Sequence, residues 1–275
     1  MLIDSHCHLH FTRIRSQFTK LYENAMSNHI NYFVCNATNL NDLEDVKQLS
    51  INYNNIIPCF GIHPYYADTV TSENVKSILE PFLLEFPHSN IGEIGLDKSS
   101  KGKRISMDIQ EKLFETQLLL AKEYNRIPVI HCVKSYGKIL DILRKLSPLP
   151  RGFLMHGYNG PFNMVKDFSK LGGYFSISAS LFNTNHDEDV IKKVLMAIPE
   201  DRLLIETDSP DMILKSCIDN CECDEEGMYI NDPSNLTKIC ELVAKYLGKS
   251  EKEIELLTSH NASTFFDIHI YDTEN

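Results

Sequence analysis

Near the start of the chain Asp4, His6 and His8 alternate with Ser5 and Cys7. On a β-strand this alternation puts the first three side chains on one face and the other two on the opposite face. Neutral imidazole is the commonest protein metal ligand, so two histidines one strand period apart can chelate a single ion if a strand end fixes them. A lone His-x-His is weak evidence, but ligand-type residues recur in other apolar runs. Glu93 lies within Ile91-Gly92-Glu93-Ile94-Gly95-Leu96-Asp97, and His131 follows Pro128-Val129-Ile130. His156 follows Phe153-Leu154-Met155, and Asp208 ends Arg202-Leu203-Leu204-Ile205-Glu206-Thr207-Asp208. Four histidines and two carboxylates exceed the needs of one divalent ion and suit a two-metal site with one bridging carboxylate.

Such residues act together only if the fold gathers them. After Leu2-Ile3 the pattern predicts a helix over about 14–29, a strand at 32–35, a helix near 40–50 and a strand at 56–60. Val75, Ile78, Leu79, Phe82, Leu83 and Phe86 fall at helical spacing. Strands follow at 91–96, 128–131, 153–156, 174–179 and 202–208, with helices between them at about 106–124, 137–146, 163–170 and 187–197. Asp232-Pro233 marks a helix start and Gly248 its end, and Ser250 with Glu253 forms a capping box for one more helix. Eight short strands alternating with helices, without a Gly/Ser-rich linker, predict an α/β fold, a (β/α)8 TIM barrel. The reading is a single domain over 1–275, closed by helices within 233–268. The alternative, an open doubly wound sheet, calls for a Gly-rich phosphate turn after the first strand, and none is there. In a barrel the carboxyl ends of the strands form one concave face, so His6, His8, Glu93, His131, His156 and Asp208 are expected at the same mouth.

Composition narrows the function classes. With 275 residues and 43% hydrophobic content the chain can bury a large core. It carries no basic-then-apolar leader and no run of eighteen apolar residues, which predicts neither secretion nor a membrane partner. The eight scattered cysteines read as free thiols, so a cytoplasmic location is expected, with the nucleus as the alternative. A net charge of −11 argues against a broad basic footprint for nucleic acid but not against a site whose bound cations supply the positive charge.

Asp4-x-His6-x-His8, Gly61-Ile62-His63-Pro64, Gly92-Glu93-Ile94-Gly95-Leu96-Asp97, Ile130-His131, His156-x-x-x-Gly160 and Glu206-Thr207-Asp208-Ser209-Pro210 occur in that order. In these motifs the chain resembles the TatD-type metal-dependent deoxyribonucleases of the amidohydrolase superfamily, from the first strand to Asn261. The resemblance implies a barrel with two divalent ions, Mg2+ first and Mn2+ or Zn2+ as alternatives, and hydrolysis of phosphodiester bonds. By position, His6, His8 and Asp208 would hold one ion, His131 and His156 the other, and Glu93 would bridge; His63 would face the substrate phosphate. In the mechanism that fits, a two-metal activated water attacks phosphorus and Asp208, with Glu93 beside it, serves catalysis. Asp4 and Glu206 share the ligands' face and are expected to hydrogen-bond ligands rather than bind metal.

The expected activity is 3′-to-5′ exonuclease action on DNA, with DNA ends or single strands as substrate and no protein partner evident. A metal-dependent amide or ester hydrolase, such as a D-aminoacyl-tRNA deacylase, is one alternative, and a noncatalytic nucleic-acid-binding barrel is another. Related sequences commonly carry arginines two residues after the strand-five histidine and after the last strand; here those places read Val133 and Ile230-Asn231-Asp232-Pro233. Lys98, Lys101, Lys103 and Arg104, after strand four, are the cations expected to hold phosphates instead. The segment holding Cys217, Cys221 and Cys223 is acidic and reads as an exposed insertion whose charge disfavours long duplex DNA.

Overall fold

The computed structural model describes residues 1–184 and 187–269. Its elements are β1 (Leu2–Cys7), α1 (Phe18–Ser27), β2 (Ile30–Asn36), α2 (Asp42–Asn52), β3 (Ile56–Cys59), α3 (Val75–Glu85), β4 (Ile91–Asp97), α4 (Met107–Glu123), β5 (Pro128–Val133), α5 (Tyr136–Leu146), β6 (Phe153–Met155), α6 (Phe162–Lys170), β7 (Gly173–Ile177), α7 (Ala179–Phe182), α8 (Glu188–Ala197), β8 (Leu203–Ile205), α9 (Leu236–Leu247) and α10 (Glu251–Phe266). The strands pair in parallel as two arcs, β1-β2-β3 and β4-β5-β6-β7-β8. Individual hydrogen bonds stitch both seams. Between β3 and β4 the Asn90 N–H donates to Pro58 O at 3.0 Å and the Phe60 N–H to Asn90 O at 2.9 Å. Between β8 and β1 the Asp208 N–H donates to His6 O at 3.0 Å and the His8 N–H to Ser209 O at 2.6 Å. The α/β TIM-barrel class expected from the sequence is the fold observed.

Burial sorts the strands into two layers. Ile3, Val34, Cys59, Val129, Leu154 and Leu204 form an inner layer, sealed at the strands' amino ends by Ala262, Phe265 and Phe266 of α10. Their neighbours, among them Leu2, Phe33, Ile130, Met155, Leu203 and Ile205, pack outward against the helices. Period two then carries the inner face to the mouth: Val129 leads to His131, Leu154 to His156, and Leu204 to Glu206 and Asp208. β1 breaks the rule, because Ile3 and His6 lie three residues apart. Its register with β2 shifts between Asp4 and Cys7, which lets both face inward.

Three predicted elements are reshaped. The helix expected over 14–29 begins as a 3-10 turn at Thr12–Gln17 before α1. The seventh strand stops at Ile177, where Ser178 caps the short α7 by accepting from the Ser180 N–H. The eighth leaves the β7 ladder after Ile205: Glu206 still donates to Ile177 O, but Thr207 and Asp208 donate to Asp4 and His6 of β1. The closing helices match the reading, with Asp232 capping the 3-10 turn at 233–235, Gly248 left-handed at the end of α9, and the Ser250/Glu253 capping box formed. No helix among the described residues is long and apolar enough to cross a membrane.

Candidate metal centre

At the strands' carboxyl ends, four inward nitrogens and two carboxylates meet. His6 Nε2 and His8 Nε2 lie 3.2 Å apart. Each faces Glu93 Oε2, at 3.6 and 3.3 Å, and Asp208 Oδ1, at 3.5 and 3.4 Å. Donors about 2.1 Å from the centre of a tetrahedron stand roughly 3.4 Å from one another, so this spacing suits one divalent ion. On the other side, Glu93 Oε1 faces His131 Nδ1 at 2.7 Å and His156 Nε2 at 2.8 Å. The two oxygens of one carboxylate thus address two separate groups of histidines.

Outer hydrogen bonds settle which imidazole nitrogens are free to ligate. His8 Nδ1 lies 2.7 Å from the Asn36 carbonyl oxygen, which only accepts; the proton therefore sits on Nδ1 and the Nε2 lone pair points into the cluster. Asp97 Oδ2, 2.9 Å from His131 Nε2, does the same for His131, and Glu206 Oε1, 3.3 Å from His156 Nδ1, does so for His156. Such outer acceptors orient ligands and raise their basicity. His6 differs: its buried Nδ1 has no hydrogen-bond partner among the described residues, and its ring stacks on His156 at 3.8 Å.

His63 is protonated the opposite way. Distance alone groups it with Glu93 and His131 as a candidate ligand. Its Nδ1, however, accepts the Tyr65 N–H at 3.1 Å, so the proton resides on Nε2, 3.4 Å from Glu93 Oε1. His63 therefore presents a hydrogen-bond donor to the site, not a lone pair. Burial pushes its pKa down to about 4, keeping the ring neutral near pH 7.

The field of the cluster attracts cations. Burial pushes the Glu93 carboxyl up, but the imidazoles of His63, His156 and His131 outweigh it and hold it well below the ordinary range. Burial opposes charge on His8, yet Asp208 and Glu93 raise its pKa well above the usual value. His156 is raised the same way by Glu93 and Glu206 against burial. Without ions, protons take the cations' place, as expected of ligands that exchange protons for metal.

A TatD-related DNase family profile matches residues 3–267. The chain belongs to the TatD-related DNase family. An uncharacterized metal-dependent hydrolase of Bacillus subtilis, YabD, is 28% identical over 273 residues, covering 98% of this chain and 100% of its own. A 3′-5′ ssDNA/RNA exonuclease, TatD, of Shigella flexneri is 25% identical over 259 residues, covering 92% and 95%. The crystal structure of the Escherichia coli TatD homologue YjjV superposes with a TM-score of 0.84 at 23% identity, covering 98% of each chain. As a member of this family the chain is a metal-dependent hydrolase, and its histidine and glutamate groups fit that dependence.

Around the TatD centre a cleft of about 250 Å³ is lined by His8, Phe11, His63, Tyr65, Tyr66, Glu93, Lys101, His131, Asp208, Asp211 and Met212, among others. Of the four loop cations, Lys101 reaches this cleft; Lys98, Lys103 and Arg104 are not part of its lining. Glu206 bonds a histidine ring as expected, and is itself held by the Ser176 hydroxyl. Asp4 touches no ring: it accepts from the backbone N–H of Thr207 at 3.0 Å and of His6 at 3.3 Å, and from the Thr207 hydroxyl, tying the seam. The sequence reading overlooked Asp97, although it shares strand parity with Glu93, and it could not see the Asn36 carbonyl. Cys217, Cys221 and Cys223 join no metal-ligand grouping among the described residues.

Proposed function

We propose that this TatD-family chain is a nuclease that removes nucleotides from the 3′ end of single-stranded DNA, using two divalent ions, Mg2+ first. His6, His8 and Asp208 would hold one, His131 and His156 the other, and Glu93 would lie between. The observation that carries the reading is the Glu93 carboxylate, whose two oxygens face two different histidine groups. The polarity and the preference for single strands are supported by the name of the Shigella relative. When bound, ions at these positions lower the pKa of water and offset charge on a phosphate.

The chain's own groups supply the rest. Asp208 can take a proton from an attacking water. It is held at the mouth in a left-handed backbone conformation, φ 59°, by its N–H bond to His6 O. The His63 Nε2–H can donate to a phosphate oxygen as charge builds there. Lys101 adds a positive charge at the rim. Asp211 in the opposite wall, linked through Arg13 to the acidic Asp224, repels a second strand.

Metal analysis and nuclease assays of the wild type beside His6→Ala and Asp208→Asn test the proposal. End-labelled single strands, blunt duplex and an aminoacyl ester serve as parallel substrates. Metal-dependent shortening of single strands from the 3′ end, lost about a thousandfold in both variants, is expected. Activity that survives both substitutions, prefers blunt duplex, or is confined to the aminoacyl ester overturns it.

A further inference from the structure

We infer that Tyr65 and Lys101 form a subsite for the phosphate one nucleotide away from the bond being cut, an inference that rests on the nuclease reading above. The Tyr65 ring is held from several directions. It meets His63 edge to face with centroids 4.4 Å apart and lies 6.2 Å from the His131 ring. Its backbone N–H donates to His63 Nδ1 at 3.1 Å, which ties the residue to the same histidine. The Lys101 ammonium rests over the ring, 4.2 Å from the centroid. An otherwise mobile lysine is thus parked at a fixed place by a rigid aromatic wall.

Position and charge give this pair its use. Glu93, His63, Tyr65 and Lys101 run outward from the ligand cluster, each beside the next. A phosphate that accepts from His63 lies at the cluster, and Lys101 stands one aromatic ring farther out. Lys101 is exposed, and among the described residues no carboxylate lies within salt-bridge distance of it, whereas Arg13 across the mouth is paired with Asp211 and Asp224. The cleft therefore has a cation on the β3–β4 side and a carboxylate on the β8 side. A polyanionic strand leaves over Tyr65, with its next phosphate against Lys101 and the ring beside the intervening sugar and base. The contact favours substrates with at least two phosphates over a lone phosphodiester.

The experiment compares kcat/KM for a trinucleotide and for bis(p-nitrophenyl) phosphate, which has no neighbouring phosphate, using the metal-loaded enzyme. Lys101→Ala should cut the trinucleotide-to-diester ratio about tenfold, mainly through KM, and flatten the salt slope of log kcat/KM by about 0.7. Lys101→Arg should restore the ratio, Tyr65→Leu should lower it with metal content intact, and Lys170→Ala, in the last turn of α6 and outside the cleft lining, should keep it. Equal losses on both substrates, or an unchanged ratio in Lys101→Ala, overturn the subsite. If the wild type cleaves neither substrate with any divalent ion, the nuclease reading itself fails and the subsite with it.

Discussion

His63 and the proposed metal ligands differ in one proton, and that difference can be measured. Because the Tyr65 N–H occupies Nδ1, His63 is a donor, so His63→Ala should leave metal stoichiometry unchanged while lowering kcat about a hundredfold. Elemental analysis beside kinetics checks this, and a lost ion would make His63 a ligand after all. Asp97→Asn removes the charge that fixes the His131 tautomer and should weaken metal binding by about 10- to 100-fold in activation titrations. The convergence of the six expected ligand positions was legible because each ends or lies in an apolar run, although in β1 a register shift rather than strict parity turns His6 inward. Asp97 was equally legible by parity, since it stands four residues after Glu93, but a carboxylate that follows a motif carries no mark of what it will touch. The Asn36 carbonyl is beyond any side-chain reading, because main-chain acceptors leave no trace in residue type.

Among the elements, β4 and β5 approach so closely at Gly95 that a side chain there has no room. Its φ is 150°, and an added Cβ would overlap the His131 carbonyl and lie 2.9 Å from the His131 nitrogen. Gly95→Ala should destabilise the fold by more than about 2 kcal/mol and disturb His131, seen as a lower denaturation midpoint and a lost ion. At the start of α2, Asp42 accepts from the Thr38 N–H and Asn39 and faces His10 at 3.3 Å. Burial raises its pKa, but the His10 bond pulls it down to about 2 from 3.8. A depressed carboxylate contributes stability that is complete above about pH 4 and disappears as pH falls towards 2. The stability gap between wild type and Asp42→Asn should close across that window in acid titration. Strand order and helix caps could be read from periodicity and capping residues. The shift inside β1 and the departure of 206–208 from β7 to β1 could not, because both depend on which backbone partner is nearer in space.

On the scale of the whole molecule, metal bound at this centre should support the barrel. Ions that bind the folded centre at a hundred times their dissociation constant should add about 2.7 kcal/mol, raising Tm by roughly 5–10 °C, with a chelator reversing the shift. Binding should release protons from His8 and His156, so apparent metal affinity should rise with pH. The seam between the first and last strands has a consequence for biosynthesis. His6 and His8 are separated from their partner Asp208, and Asp4 from Thr207, by some two hundred residues of chain. Strands β2 to β7 lie between them, so no segment that stops short of Asp208 holds the complete donor set. A fragment that stops short of Asp208 is accordingly expected to lack hydrolase activity, so catalytic competence becomes a property acquired only once β8 and the residues after it have been made.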